Sequence, residues 1–240
     1  MSGHSKWNNI KRRKEAVDAK KGKIFTKLGR EIQLAVKQGG ADPNSNRQLA
    51  DAISRAKANN MPNDSIQRSI KRAAGLDGNN DYEEVTYEGY GPGGVAVLVR
   101  TLTDNRNRTA GEVRHIFDKY GGNLGTTGCV AFQFEQKGVL VLEKENYPDE
   151  EQVMMDAIEA GADDVEIADE AYEIITAPDQ YYAVQDELKN RAYEFADVSL
   201  GPVANTFTEI TDEEVNLQLD KLLDFLEDID DVQEVYSNRA

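Results

Sequence analysis

Around residues 76–82 this chain changes its hydrophobic period and the sign of its charge together. Up to Gly75, apolar residues recur every three or four positions, as on one face of a helix. Beyond Asp77-Gly78-Asn79-Asn80 they gather in short β-rich runs. Residues 1–75 hold 17 Lys and Arg against 6 Asp and Glu, and residues 76–240 hold 11 against 38. A basic helical segment and an acidic strand-bearing remainder do not share one layer architecture. The pattern therefore predicts an α+β protein, and 240 residues allow two or three small domains.

In the basic segment, Ile24, Leu28, Ile32 and Ala35 fall on one helical face, which Phe25 and Val36 widen. Gly39-Gly40 ends that helix. Asp42-Pro43 reads as a cap followed by proline in a first turn, opening a second stripe of Leu49, Ile53 and Ala56. After Asn59-Asn60, a third helix follows Pro62 on Ile66, Ile70 and Ala73, with Gly75 as its C-terminal cap. The expectation is a small helical bundle with a basic N-terminal arm.

Beyond it, Glu84–Tyr90 and Val95–Thr101 read as strands joined by Gly91-Pro92-Gly93-Gly94. Thr109–Tyr120 reads as a helix burying Val113, Ile116, Phe117 and Tyr120, and Cys129–Phe134 as the next strand. From Gly138 the order strand, helix, two strands, helix, strand ends at Leu200, the split-βαβ, ferredoxin-like pattern. Residues 80–134 lack a second helix. The C-terminus supplies one through Val215, Leu219, Leu222, Leu226 and Ile229, followed by strand Val232–Tyr236. The predicted organisation is a helical basic domain over 1–79, a discontinuous α/β domain over 80–134 and 205–240, and a ferredoxin-like domain inserted at 135–204. Consecutive domains are the alternative.

Several functions find no support. The glycine runs at 91–94 and 121–125 do not precede a helix N-terminus, so they read as turns rather than phosphate cradles. His4 and His115 lie far apart, Cys129 is the one cysteine, and Asp228-Ile229-Asp230-Asp231 lacks calcium-loop spacing, so no metal or cofactor is expected. No nucleophile motif accompanies the histidines; the expectation is a non-enzyme without catalytic residues or a small-molecule substrate. No apolar run approaches the roughly 18 residues of a membrane span. The opening Met-Ser-Gly-His-Ser-Lys-Trp lacks a signal-peptide core, and one cysteine fits a reducing compartment. The expected location is cytoplasmic, with no membrane partner.

The basic segment points instead to nucleic acid, because each cation set against a phosphate releases a condensed counterion. The candidate contacts are His4, Ser5, Lys6, Trp7, Asn8, Lys11, Arg12, Arg13, Lys14, Lys20, Lys21, Lys23 and Lys27. Trp7 either stacks on an unpaired base or anchors the arm to the bundle. Lysine-rich helices with one aromatic suit phosphate contact more than base reading, which predicts weak discrimination among duplexes. In Asp104-Asn105-Arg106-Asn107-Arg108-Thr109, either Asp104 or Asn107 caps the following helix. Arg106 and Arg108 there are secondary candidates for holding phosphate or carboxylate.

Four stretches carry a family resemblance: Gly3-His4-Ser5-Lys6-Trp7-Asn8-Asn9-Ile10-Lys11, Lys23-Ile24-Phe25-Thr26-Lys27, the 104–109 run, and Leu226-Glu227-Asp228-Ile229-Asp230-Asp231-Val232-Gln233. Together they make the chain resemble the YebC family over essentially its whole length. That family includes bacterial proteins called transcriptional regulators and the mitochondrial translational activator of cytochrome c oxidase. The resemblance implies three domains, one inserted in another, and a non-enzymatic role in gene expression. It implies either promoter DNA or the ribosome as partner, the latter in translation of stretches such as consecutive prolines. Ribosomal RNA would then meet the basic segment, and basic proteins the acidic domains.

Overall fold

The computed structural model describes residues 6–75 and 82–240, with side chains described from Gly22 onward. The architecture is α+β, as expected: a helical bundle and two four-stranded sheets. One compact unit holds Asp18–Val130 and Thr211–Val235, and a second holds the chain up to Val17 together with Ala131–Ile210 and Tyr236–Ala240.

The bundle comprises α1 (Lys6–Gly39), α2 (Arg47–Ala58) and α3 (Asn63–Ala73). Leu28, Ile32, Ala35 and Val36 of α1 are buried against Leu49, Ala52, Ala56, Met61 and Ile66, which is the predicted stripe at its predicted spacing. Gly40 ends α1 at φ +87°, a backbone conformation that glycine adopts without a Cβ penalty. Asp42 does not cap α2. It heads a turn, its Oδ1 accepting from the Asn44 amide at 3.0 Å, and Asn46 takes the cap by accepting from the Leu49 amide at 3.1 Å. Asn46 is also buried and donates through Nδ2 to the carbonyls of Ala35 (2.7 Å) and Gly40 (2.8 Å). One side chain thus satisfies groups at the end of one helix and the start of the next. That second task selects Asn46 over Asp42, because a carboxylate has no N–H to donate.

The first sheet has strand order β3-β1-β2-β8, from β1 (Glu83–Tyr90), β2 (Ala96–Thr103), β3 (Asn123–Leu124) and β8 (Val232–Ser237). β1 and β2 form an antiparallel hairpin with Glu83 opposite Thr103 and Tyr90 opposite Ala96. Helix α4 (Arg106–Lys119) buries Val113 and Phe117, and α7 (Glu213–Glu227) buries Leu219, Leu222 and Leu226. The cap of α4 is Asn105, which accepts from the Arg108 amide at 3.1 Å, and neither Asp104 nor Asn107.

The expected strand Cys129–Phe134 is absent. Only Asn123 and Leu124 pair with β1, and residues 125–130 form a loop. The cause is Glu88, a buried residue of β1 whose carboxylate accepts from the amides of Gly128 (2.7 Å) and Val130 (2.9 Å). A charged acceptor has taken donors that a strand would give to a ladder. Gly89 makes the close approach of β3 possible: a Cβ there would lie 2.6 Å from the Asn123 carbonyl oxygen and 2.7 Å from Phe117 Cε1.

The second sheet has order β5-β6-β4-β7, from β4 (Phe134–Glu143), β5 (Asp164–Ile167), β6 (Ala171–Thr176) and β7 (Asp197–Ala204). With α5 (Glu150–Glu159) after β4 and α6 (Tyr181–Asn190) after β6, this is the predicted ferredoxin-like order. Leu140, Leu142, Tyr172 and Ile174 of the sheet pack on Val153, Ala157, Val184 and Leu188 of the helices. Arg191 fastens the helix ends through Asp156 (2.5 Å), Glu159 (2.9 Å) and Glu187 (3.0 Å). Among the described residues no helix is long and apolar enough to cross a membrane.

Candidate nucleic-acid interface

Of the candidate contacts, His4 and Ser5 lie outside the described residues. Lys6, Trp7, Asn8, Lys11, Arg12, Arg13, Lys14, Lys20 and Lys21 lie on the backbone of α1, their side chains outside the described set. What composition suggests is an arm is therefore the first part of α1, helical from Lys6 onward.

Lys23 and Lys27 are described, and α7 engages both. Lys23 Nζ donates to the Asp228 carbonyl at 3.0 Å, Lys27 Nζ to the Glu227 carbonyl at 2.5 Å, and Arg30 to the Asp230 carbonyl at 2.5 Å. Positions 23, 27 and 30 share one stripe of α1 at helical spacing. The carbonyls they reach close α7 and the turn after it, where helical C=O groups lack intrahelical donors and the dipole end is negative. Lysines set out for phosphate can equally cap a helix.

Arg30 continues into a buried junction. Its guanidinium meets Asp231 Oδ1 at 2.7 Å and lies over the Tyr82 ring, 5.4 Å from the centroid. Asp231, 2% exposed, also accepts through Oδ2 from Thr109 (2.6 Å), Arg108 (2.7 Å) and Thr103 (3.1 Å). Burial pushes the Asp231 carboxyl upward, but the hydrogen bonds from Thr109 and Arg108 and the charges of Arg30 and Arg108 outweigh it. The group is held below the ordinary carboxylate range. Of the two secondary candidates, Arg108 holds carboxylates, pairing with Asp104 at 2.9 Å as well as with Asp231. Arg106 is exposed, and its carbonyl accepts from Tyr87 Oη at 3.1 Å. Two of the signature stretches, 104–109 and 226–233, thus meet in one network.

A surface that the charge clusters do not single out lies on α3. Arg68, Lys71 and Arg72 are exposed and make no ion pair among the described residues. Four residues, Asn59–Pro62, separate α2 from α3, the spacing of a helix-turn-helix. Ile53, Ser54 and Lys57 of α2 face Asn63, Ile66 and Gln67 of α3 across a shallow groove. The signal for it in the chain is Arg68-Ser69-Ile70-Lys71-Arg72 after a four-residue turn, which the denser clusters at 11–14 and 20–23 eclipse.

Burial, with the nearby Glu88 charge, pushes the Cys129 thiol up, away from the reactive thiolate. Among the described residues no three His, Cys, Asp or Glu side chains are placed to hold a metal ion. His115 is exposed on α4.

Residues 5–76 match the TACO1/YebC protein N-terminal domain, and residues 82–239 match the TACO1/YebC second and third domain. A protein of Acetivibrio thermocellus is 57% identical over 238 residues, spanning 99% of this chain and 98% of that protein. One of Ruminiclostridium cellulolyticum is 58% identical over 229 residues, spanning 95% and 92%. Both carry the name "Probable transcriptional regulatory protein". The crystal structure of a conserved hypothetical protein from Aquifex aeolicus superposes with a TM-score of 0.86 at 45% identity, covering 93% of this chain and 92% of that one. With both family descriptions matched and full-length relatives above half identity, this chain belongs to the TACO1/YebC family.

Proposed function

We propose that this protein is a non-enzymatic, cytoplasmic regulator of gene expression that binds duplex DNA through its basic helical segment. The observation that carries this reading is α3, a helix at helix-turn-helix spacing with Arg68, Lys71 and Arg72 exposed and unpaired among the described residues. Such cations suit phosphates flanking a groove, while Asn63 and Gln67 near the start of α3 are amides of the kind that pair with adenine edges. Lys6, Trp7, Asn8, Lys11, Arg12, Arg13, Lys14, Lys20 and Lys21, with His4 and Ser5 before them, extend the contact set along α1. Lys23 and Lys27 join it only by leaving α7. The name given to the relatives supports the reading.

A ribosome-associated role in translation is the second reading. It is favoured by the charge division, since a basic segment suits ribosomal RNA and a strongly acidic remainder suits the basic proteins around it. Competition at near-physiological salt separates the two, using genomic duplex fragments selected by the protein, scrambled duplex and ribosomal RNA. Phosphate contacts alone predict weak discrimination among duplexes; with Asn63 and Gln67 of α3 added as base-reading amides, the DNA reading expects a selected duplex to win over scrambled duplex by about a thousandfold and over RNA. RNA displacing every duplex would overturn it in favour of translation.

A further inference from the structure

Residues 131–210 hold 20 Asp and Glu against 4 Lys and Arg. Three of those four cations are paired nearby: Lys137 with Glu135, Lys144 with Glu150, and Arg191 with Asp156, Glu159 and Glu187. This part of the chain therefore presents a negative field, which repels phosphate and draws cationic partners.

Within that field, α5 carries apolar residues on the wrong side. Val153 and Ala157 face the core, as a half-buried helix requires. Met154, Met155 and Ile158 are nevertheless 39%, 58% and 54% exposed, and Ile167 on the adjoining edge strand β5 is 43% exposed. Exposed carboxylates of Glu150, Glu151 and Glu159 flank them on the same helix. Exposed aliphatic surface costs free energy that scattered single residues hide but a contiguous helix face does not. Methionine adds a flexible, polarizable surface that adapts to varied partners.

We infer that this face of α5 docks a basic, amphipathic protein segment, one that lays an aliphatic or aromatic anchor on Met155 and Ile158 while its Lys and Arg meet the flanking carboxylates. The apolar centre supplies affinity, and the acidic border selects cationic segments and steers their approach. A nucleic acid is refused by charge. A second copy meeting face to face would set α5 carboxylates against α5 carboxylates, which like charge disfavours. The inference is independent of the DNA reading, which concerns the basic segment.

The test uses the full-length protein and two synthetic peptides titrated by fluorescence anisotropy. One is lysine-rich with leucines at i, i+4 spacing; the other replaces every leucine by alanine. The leucine peptide should bind about tenfold tighter or more. Met155→Glu with Ile158→Glu should abolish that preference while leaving the melting temperature in place, and the milder pair Met155→Ser with Ile158→Ser should weaken it in the same direction. Equal binding of the two peptides would reduce the effect to charge attraction and overturn the proposal. So would a leucine preference that survives both double variants. Sedimentation velocity covers the remaining occupant: self-association of the wild type that the double variants lack would assign the face to a second copy instead.

Discussion

Arg30 and Asp231 stand 201 positions apart in sequence and meet at 2.7 Å in a buried ion pair that joins α1 to the turn between α7 and β8. Asp231 is also the shared acceptor for Thr103, Arg108 and Thr109, so one carboxylate collects donors from two distant stretches of chain, α1 and residues 103–109. Removing it leaves Arg30, itself only 14% exposed, without its counter-charge. Asp231→Ala is expected to destabilise this unit by about 3 kcal/mol, within the usual cost of breaking a buried pair from one side. Urea denaturation checks this; an unchanged midpoint would mean the network is not needed for stability.

The same carboxylate sets an acid limb. Its folded pKa lies below the unfolded value, so its contribution is fully present above the ordinary carboxylate range near pH 4 and is lost as pH falls through the folded value. Glu31 acts in the opposite sense. Burial, only partly offset by Arg55, raises its pKa, so stability from this group falls as pH rises from the unfolded value through the folded one. Melting temperatures from pH 2 to 7 should show a shallower acid decline in Asp231→Asn than in the wild type. Glu31→Gln should gain relative to the wild type at neutral pH. The opposite ordering of either variant would contradict the electrostatics described here.

Asn46 joins a helix cap to a buried bridge. Asn46→Ala removes the cap and strands the carbonyls of Ala35 and Gly40, for a cost of roughly 2 kcal/mol. Asn46→Asp keeps the cap but sets a buried carboxylate oxygen against those two carbonyl oxygens, which repel it. Thermal unfolding should therefore place both variants below the wild type, and an Asp variant that melts with the wild type would show that the donations to Ala35 and Gly40 are not needed.

At Gly89 the first sheet has no room for a methyl group. The nearest obstacle is backbone, the Asn123 carbonyl, so relief would require β3 to move. Gly89→Ala is expected to cost about 2–3 kcal/mol. A variant that melts with the wild type would show that β3 is free to shift.

Much of this fold was legible because periodicity is local. The α1 stripe of Leu28, Ile32 and Ala35, the hairpin of β1 and β2, and the βαββαβ order from 134 to 204 all follow from residues within one element. The misses share a different cause: a side chain from elsewhere captured backbone donors or acceptors. Glu88 made a loop where the β-rich residues after Cys129 suggested a strand, and Asn46 displaced Asp42 as a cap. The interface was legible in charge but not in geometry. Nothing local to Lys23 and Lys27 shows that α7 ends beside them, whereas Arg68, Lys71 and Arg72 become readable as a triplet unpaired among the described residues once α3 is placed.

Binding of DNA by the basic segment through α3 is tested most directly by the salt dependence of duplex affinity. Log affinity against log salt is measured for the wild type and for Arg68→Ala/Lys71→Ala/Arg72→Ala, with the melting temperature as a check on folding. All three side chains are exposed, so the variant should melt close to the wild type. Its binding should be weaker, with a slope flatter by about 0.9 for each phosphate no longer neutralised. A folded variant with the wild-type affinity and slope would contradict DNA binding through α3 and place the interface elsewhere.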